Sequence, residues 1–303
     1  MTIKLIPHVL RAQDFGRARL DTLFDAAAMI EQKGSDSARG KTLMFYSTQP
    51  TTRTRVSFCV GMEKLGGTAH AISSSDSSQE LKHETIEDTV VSLAKIGADV
   101  IVLRHNDEDA IFSVALVSPV PVINGGSGKE QHPTQALTDI YTIHRSHKDI
   151  DGLSIALVGD LKFGRTTNSL AYLLTKYQDV KLYLVSPAHL RMKGDLRYYL
   201  HEHGMHVEET TDFERVIGKV DVVYQTRAQK EYTTDANAHD GLAPYVIDRK
   251  MVERMKKNTI ILHPLPRNQE LSREVDVLPQ QKYLDQMYYG RLIRMALLQE
   301  ILR

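Results

Sequence analysis

At 303 residues the chain is too long for one ordinary domain, and two domains of about 150 residues each are expected. Its 38 Lys and Arg balance 38 Asp and Glu, which excludes the charged surface of a nucleic-acid binder or a peripheral membrane protein and leaves a locally charged cleft open. A composition 42% hydrophobic and 25% charged argues against disorder, collagen-like repeats and coiled coil.

From Lys41 onward, short β-branched runs alternate with longer helical patterns, as stacked βαβ units around parallel sheets do. The first strand is expected at Thr42 to Tyr46, followed by a helix over Arg53 to Leu65 with Val56, Cys59, Val60 and Leu65 on its apolar side. A strand at Thr68 to Ile72 leads into a polar serine stretch, Ser73 to Ser78, that reads as a mobile loop. A helix over Glu84 to Ile96 and strands at Asp99 to Leu103 and Val120 to Ile123 come next. The domain boundary is placed in the helix starting near His132. Beyond it are strands at Leu153 to Val158, Lys181 to Val185, Asp221 to Tyr224 and Thr259 to Leu262, a helix over Thr166 to Tyr177, and a last helix over Tyr288 to Arg303. The expected class is α/β, with eight strands forming two open sheets.

Cys59 is the only cysteine, so an intramolecular disulfide and a cysteine-rich zinc site are both impossible and a reducing compartment fits. The beginning of the chain, MTIKLIPHVLRAQDF, meets Lys, Pro, His and Arg before any apolar run reaches signal-peptide length. No stretch approaches the ~18 to 20 residues of a membrane span. A cytoplasmic protein with no membrane or nucleic-acid partner is expected.

In open α/β sheets ligands bind beyond the carboxyl ends of the strands, so chemistry is read just after each strand. Gln49-Pro50-Thr51-Thr52-Arg53-Thr54-Arg55 puts three hydroxyls and two guanidiniums at a helix start, where unpaired N–H groups and positive partial charge favour an anion. The alternative is a capped helix with solvated arginines. Arg104-His105 places another cation at a strand end. Asn124-Gly125-Gly126-Ser127-Gly128 leads to Gln131-His132-Pro133-Thr134-Gln135, with Pro where a helix accepts it. The histidine there is either structural or a neutral donor to a carbonyl.

Gly159-Asp160-Leu161-Lys162-Phe163-Gly164-Arg165-Thr166 nearly matches the phosphate-cradling G-x-x-x-x-G-K-T loop. Arg165 replaces the lysine, the loop interior is bulky, and no second strand ends in an obvious magnesium-binding Asp, so a nucleotide loop is disfavoured. Thr226-Arg227-Ala228-Gln229-Lys230-Glu231 and His263-Pro264-Leu265-Pro266-Arg267 complete the strand ends. His201, His203 and His206 read as a solvated stretch rather than metal ligands, because side chains two apart on a helix diverge. Five Arg-bearing strand ends without clustered carboxylates point to a small ligand of high negative charge. Metal-dependent phosphoryl transfer is disfavoured, and neither a metal nor a cofactor is expected.

In this order and spacing, P-T-T-R-T-R, R-H, Q-H-P-T-Q, G-D-L-K-F-G-R-T, T-R-x-Q-K-E and H-P-L-P-R resemble the catalytic chains of the aspartate carbamoyltransferase family, over roughly residues 40 to 300. Ornithine carbamoyltransferases share the first three motifs but carry H-C-L-P where this chain reads His263-Pro264-Leu265-Pro266. The resemblance implies a two-domain chain. Residues 1–132 with 287–303 would bind carbamoyl phosphate, residues 133–286 would bind L-aspartate, and the last helix would pack back on the first domain.

The resemblance further implies that Thr51, Thr52, Arg53 and Thr54 hold the phosphate, with Arg104, His132 and Gln135 around the carbamoyl group. Ser78 and Lys82 match a serine and a lysine that neighbouring subunits contribute in the family, which implies a homotrimer with shared active sites. Aspartate would meet Lys82, Arg165, Arg227, Gln229 and the Leu265 backbone. The implied catalytic set is Arg53, Thr54, Lys82, Arg104 and His132. The implied product is N-carbamoyl-L-aspartate, made in the second step of pyrimidine biosynthesis, with a regulatory chain or other pyrimidine enzymes as possible partners. Arg267 is read as a further cation facing the anions.

Four positions depart from the family pattern. Gln49 stands for a glutamate and Thr51 for a serine that keeps its hydroxyl. In a well-known bacterial member that glutamate bridges the domains by pairing with the arginine matching Arg165 and with a second arginine, whose place Tyr232 takes here, so the latch would be uncharged. His83 replaces a common glycine beside Lys82. These departures leave two other readings open: a carbamoyltransferase with a different amine acceptor, and a non-catalytic paralogue acting as a structural partner.

Overall fold

A computed structural model describes residues 6–73, 83–229, 241–242 and 245–303. By its contacts the chain divides into two compact units, Met1–Thr138 with Met287–Arg303, and Asp139–Gln286.

Unit 1 opens with helix α1 (Arg17–Lys33), whose Leu20, Leu23, Phe24, Ala27 and Ile30 recur at helical spacing and are buried. It precedes the first expected element and is an addition to the sequence reading. Strand β1 (Thr42–Ser47), helix α2 (Arg53–Lys64), β2 (Thr68–Ser73), α3 (Ile86–Ile96), β3 (Val100–His105), α4 (Ala110–Val117) and β4 (Val122–Ser127) follow. All pairings are parallel, in the order β2-β1-β3-β4, with Leu43 opposite Val100 and Ile101 opposite Val122. β1 and β3 are nearly continuous apolar runs because helices cover both faces of a parallel sheet. α3 starts at Ile86, later than the expected Glu84, because the Thr85 hydroxyl caps it by accepting the Asp88 N–H at 3.1 Å.

Helix α5 (Pro133–His147) passes the division between Thr138 and Asp139. Unit 2 then runs through β5 (Ser154–Val158), α6 (Arg165–Leu174), β6 (Lys181–Val185), α7 (Gly194–Glu202), β7 (His206–Thr210), α8 (Phe213–Ile217), β8 (Val222–Gln225), α9 (Arg249–Glu253) and β9 (Ile260–Leu262). Its parallel order is β7-β6-β5-β8-β9. The described residues thus hold nine strands where eight are expected. β7 is the addition: an edge strand half in solvent tolerates the polar sequence His-Val-Glu-Glu-Thr, which carries no apolar run.

Helix α10 (Asp285–Ile301) enters unit 1 at Met287 and packs there as the resemblance implies. Arg294 donates to the Ser57 hydroxyl at 3.0 Å, Ser35 donates to Gln299 at 2.8 Å, and Arg19 holds the Glu300 carboxylate with two nitrogens. Among the described residues no helix is long and apolar enough to cross a membrane.

Candidate anion sites at the strand ends

Each sheet has one topological switch point, where the chain leaves two neighbouring strands in opposite directions and opens a crevice beyond their carboxyl ends. In unit 1 it lies between β1 and β3, and in unit 2 between β5 and β8. Four of the six motif segments begin at these ends.

In unit 1 the strand ends are laced by backbone bonds. Thr48 donates its N–H to the Arg104 carbonyl at 3.0 Å, and Asn106 donates its N–H to the Thr48 hydroxyl at 3.2 Å. The Ser47 hydroxyl donates to the Gln49 carbonyl at 2.6 Å and turns the chain toward Thr51 and Thr52, which precede α2. Arg53 is the first residue of α2 and is exposed, while Thr54 behind it is buried. Arg104 lies within β3 rather than after it, because β3 continues to His105, and its guanidinium donates to the Gly125 carbonyl at 3.4 Å. β4 likewise continues to Ser127, past the expected end at Ile123 and through Gly125 and Gly126. There the Asn124 carboxamide accepts from Gly126 N–H and the Ser127 hydroxyl, and Ser127 N–H donates to the Gln131 carbonyl.

His132 stands immediately before α5 and is buried. Its Nδ1 accepts the Gln135 N–H at 3.2 Å, so the imidazole caps the helix and Pro133 fills the position that needs no N–H. A ring nitrogen that accepts from a backbone amide carries no proton, which puts the proton of the neutral ring on Nε2. That nitrogen lies 3.3 Å from Thr54 Oγ1. Thr54, His132 and the buried Gln135 are therefore brought together, with Arg104 beside β4 at the adjacent strand end.

In unit 2 the switch point is organised by Asp160, which is fully buried. One carboxylate oxygen accepts the Phe163 N–H at 3.1 Å on its own loop, and the other accepts the Gln229 N–H at 3.0 Å on the loop after β8. The Gln229 side-chain amide in turn donates to the Arg227 carbonyl at 3.0 Å, and the Arg227 guanidinium donates to the Ala228 carbonyl at 2.7 Å. Arg165, half-buried, opens α6. The two glycines of the nucleotide-like loop have steric causes. A Cβ on Gly159, at φ +114°, would sit 2.4 Å from the Thr226 carbonyl, and one on Gly164 would sit 2.6 Å from the Asp160 carbonyl. Close approach of β8 and of the loop to itself accounts for them without a nucleotide.

After β9, His263 is fully buried. Its Nδ1 accepts the Leu265 N–H at 2.8 Å, and Nε2 faces Glu270 at 3.0 Å. Burial pushes the His263 pKa down and outweighs the opposing pull of Glu270. Burial alone would raise Glu270, but hydrogen bonds from His263 and from backbone N–H groups hold its carboxyl below the usual range. Leu265 sits at φ +52°, held there by His263.

Arg267 corrects the sequence reading. Its guanidinium binds both carboxylate oxygens of Asp276, one at 2.6 Å, and that bond chiefly holds the Asp276 pKa down. A cation neutralised in this way is not one of those facing the anion sites. Ser78, Lys82 and Tyr232 lie outside the described residues. His83 takes φ +55°, a conformation glycine adopts without cost, so the exchange for the family glycine falls where a side chain is least favoured. Among the described residues no group of three or more His, Cys, Asp or Glu could hold a metal ion, and His201, His203 and His206 are exposed. Asp160 and Glu270 are absent from the sequence-derived set, since nothing in the local sequence separates a buried carboxylate from a solvated one.

Residues 7–145 match the family model described as the aspartate/ornithine carbamoyltransferase carbamoyl-P binding domain, and residues 151–301 match the Asp/Orn binding domain of the same family. Aspartate carbamoyltransferase 1, chloroplastic, of Pisum sativum is 41% identical over 302 residues, covering 97% of this chain and 78% of that protein. The aspartate carbamoyltransferase catalytic subunit of Methanothrix thermoacetophila is 43% identical over 300 residues, covering 97% and 98%. A crystal structure of aspartate transcarbamoylase from Trypanosoma cruzi in complex with carbamoyl phosphate and aspartate superposes with a TM-score of 0.92 at 37% identity, covering 97% of this chain and 96% of that one. Both halves of the chain are matched, each by its own domain model and in the family's order, and the chain belongs to the aspartate/ornithine carbamoyltransferase family.

Proposed function

We propose that the protein transfers the carbamoyl group of carbamoyl phosphate to the α-amine of L-aspartate, giving N-carbamoyl-L-aspartate and phosphate, the second step of de novo pyrimidine (UMP) biosynthesis. The observation that carries this reading is the capped His132, whose Nε2–H is left as a donor beside Thr54 at an anion-binding helix start.

Carbamoyl phosphate is already an activated mixed anhydride, so the protein supplies position and charge rather than a covalent intermediate. Thr51, Thr52, Arg53 and Thr54 receive the phosphate at the start of α2. The aspartate amine attacks the carbonyl carbon, and the oxygen that gains charge is met by His132 Nε2–H, the Thr54 hydroxyl and Arg104. The carbon–oxygen bond to phosphate then breaks. Arg53 and Lys82 meet the leaving phosphate, which departs as the dianion once it has taken up the proton that the amine gives away. Gln135 completes the carbamoyl pocket. In unit 2, Arg165, Arg227 and Gln229 receive the aspartate carboxylates beyond β5 and β8, and the Leu265 carbonyl faces the amine.

The same reading makes the enzyme a homotrimer with shared sites, because Ser78 and Lys82 match residues supplied by a neighbouring subunit in the family. It also includes a regulatory chain or another pyrimidine enzyme as partner, and the cytoplasm as its compartment, in keeping with a single cysteine. Sedimentation of the purified protein tests the trimer, and a stable monomer at assay concentration with full activity contradicts it.

The function is tested by phosphate release from carbamoyl phosphate with aspartate, ornithine and other amino acids as acceptors. Release with aspartate alone is expected. Preferred release with another amine favours a different acceptor, for which Gln49 and Tyr232 would be the first residues to exchange; no release with any amine points to the non-catalytic paralogue.

A further inference from the structure

We infer that Asp139 and Gln286 are positioning residues for the acceptor substrate, acting through a buried hydrogen-bond chain that fixes the segment presenting the Leu265 carbonyl. The inference rests on the proposed function, in which unit 2 binds the acceptor.

The chain has a direction imposed by its first member. Asp139 lies inside α5 and Gln286 is the second residue of α10, and both are fully buried. A carboxylate only accepts, so the Gln286 side chain must turn its NH₂ toward Asp139, which it meets at 2.7 Å. The carboxamide oxygen is thereby turned the other way, where it accepts the His263 N–H at 2.8 Å. His263 is the first residue after β9, and its Nδ1 accepts the Leu265 N–H at 2.8 Å. Asp139 therefore selects one of two amide orientations of Gln286, and only that orientation offers an acceptor to His263.

The anchored segment needs such a hold. Leu265 takes φ +52°, a conformation a leucine keeps only when its surroundings impose it. Glu270, accepting from His263 Nε2, grips the imidazole from the other side at 3.0 Å. Tyr224 lies against the Asp139 carboxylate, and its phenol is kept protonated by burial first and by that negative charge second. A carboxylate this deep is costly to keep, and a neutral residue would fill the same space more cheaply unless its charge served orientation. Asp139, Gln286, His263 and Leu265 all belong to unit 2, whereas the residues assigned to carbamoyl phosphate belong to unit 1. The expected effect is therefore confined to the acceptor.

The test is Asp139→Asn, which keeps the shape and removes the directionality. KM for aspartate is expected to rise about tenfold, the size of one lost net hydrogen bond, with carbamoyl-phosphate Kd within about twofold of the parent. The double variant Asp139→Asn/Gln286→Glu restores one direction, since the carboxamide introduced on α5 donates and the carboxylate introduced on α10 accepts both from it and from His263. It is expected to recover most of the loss. Gln286→Met, read in the same way, gives the aspartate-only loss should Asp139→Asn not fold. An unchanged aspartate KM, a parallel loss of both substrates, or a double variant no better than Asp139→Asn overturns the inference. Failure of the parent protein to use aspartate is a different result and sinks the proposed function instead.

Discussion

The Gln135 N–H donates to His132 Nδ1 at 3.2 Å, and this one bond sets the chemistry available at the other side of the ring. With Nδ1 committed to capping α5, Nε2–H is the group that faces Thr54, and in the proposed function it meets the carbamoyl oxygen.

Removing that donor while keeping the cap separates its two tasks. His132→Asn retains a side-chain oxygen able to cap the helix, and kcat is expected to fall about 100- to 1,000-fold with KM nearly unchanged. His132→Ala loses the same rate and also about 1 kcal/mol of stability with the cap. Steady-state kinetics and thermal melting check both; turnover at the parent rate in either variant rules out the oxyanion role.

Asp160 ties the two strand ends of unit 2 together, one oxygen on Phe163 N–H and the other on Gln229 N–H. Asp160→Asn turns one of these acceptors into a donor facing a donor. Aspartate KM is expected to rise at least about tenfold, from one lost bond and one opposed N–H, while carbamoyl-phosphate binding measured by calorimetry stays within about twofold. Equal weakening of both substrates would show a general unfolding effect.

Arg294 reaches from α10 to the two helices that carry the proposed phosphate site, donating to Ser57 on α2 at 3.0 Å and to the Thr134 carbonyl on α5 at 3.4 Å. It also lies over the Phe58 ring, 5.4 Å from the centroid. Arg294→Met keeps the apolar stem and removes the clamp. Carbamoyl-phosphate Kd is expected to rise about five- to tenfold, and stability to fall by about 1 to 3 kcal/mol. An affinity identical to the parent's would restrict Arg294 to a structural role.

The His263–Glu270 pair gives the protein an acid-sensitive limb. His263 is held below its ordinary 6.5, so the unfolded chain takes up the proton first as pH falls. Its contribution is full above 6.5 and is lost as pH drops from there through the folded value. Glu270, held below its ordinary 4.5, acts in the same direction at lower pH. The melting temperature is expected to decline from pH 7 toward pH 5, with a shallower decline over that interval in His263→Gln. Parallel slopes in parent and variant would remove His263 from the account.

The positions of the candidate residues are legible in the sequence because a parallel sheet puts its strand ends at fixed places along the chain, so Thr54, Arg104, His132 and Arg227 can be placed from their distance to an apolar run. Arg267 satisfies the same rule yet faces elsewhere, since its partner Asp276 lies nine residues downstream in a segment without a motif. β7 leaves no such signal because an edge strand does not need an apolar run. The Asp139–Gln286 bond joins residues 147 apart, and each side chain alone looks like any polar residue on a helix. Contacts of that range follow from the packed fold and leave no local trace.

Following the carbon that moves tests the proposed transfer itself. Carbamoyl phosphate labelled with ¹³C at the carbonyl is incubated with the protein and unlabelled aspartate, and the product is followed by ¹³C NMR and mass spectrometry. The label is expected to appear as the ureido carbon of N-carbamoyl-L-aspartate, in step with phosphate release and not with ornithine in place of aspartate. Label found only in bicarbonate and cyanate, at the rate seen without protein, would contradict it.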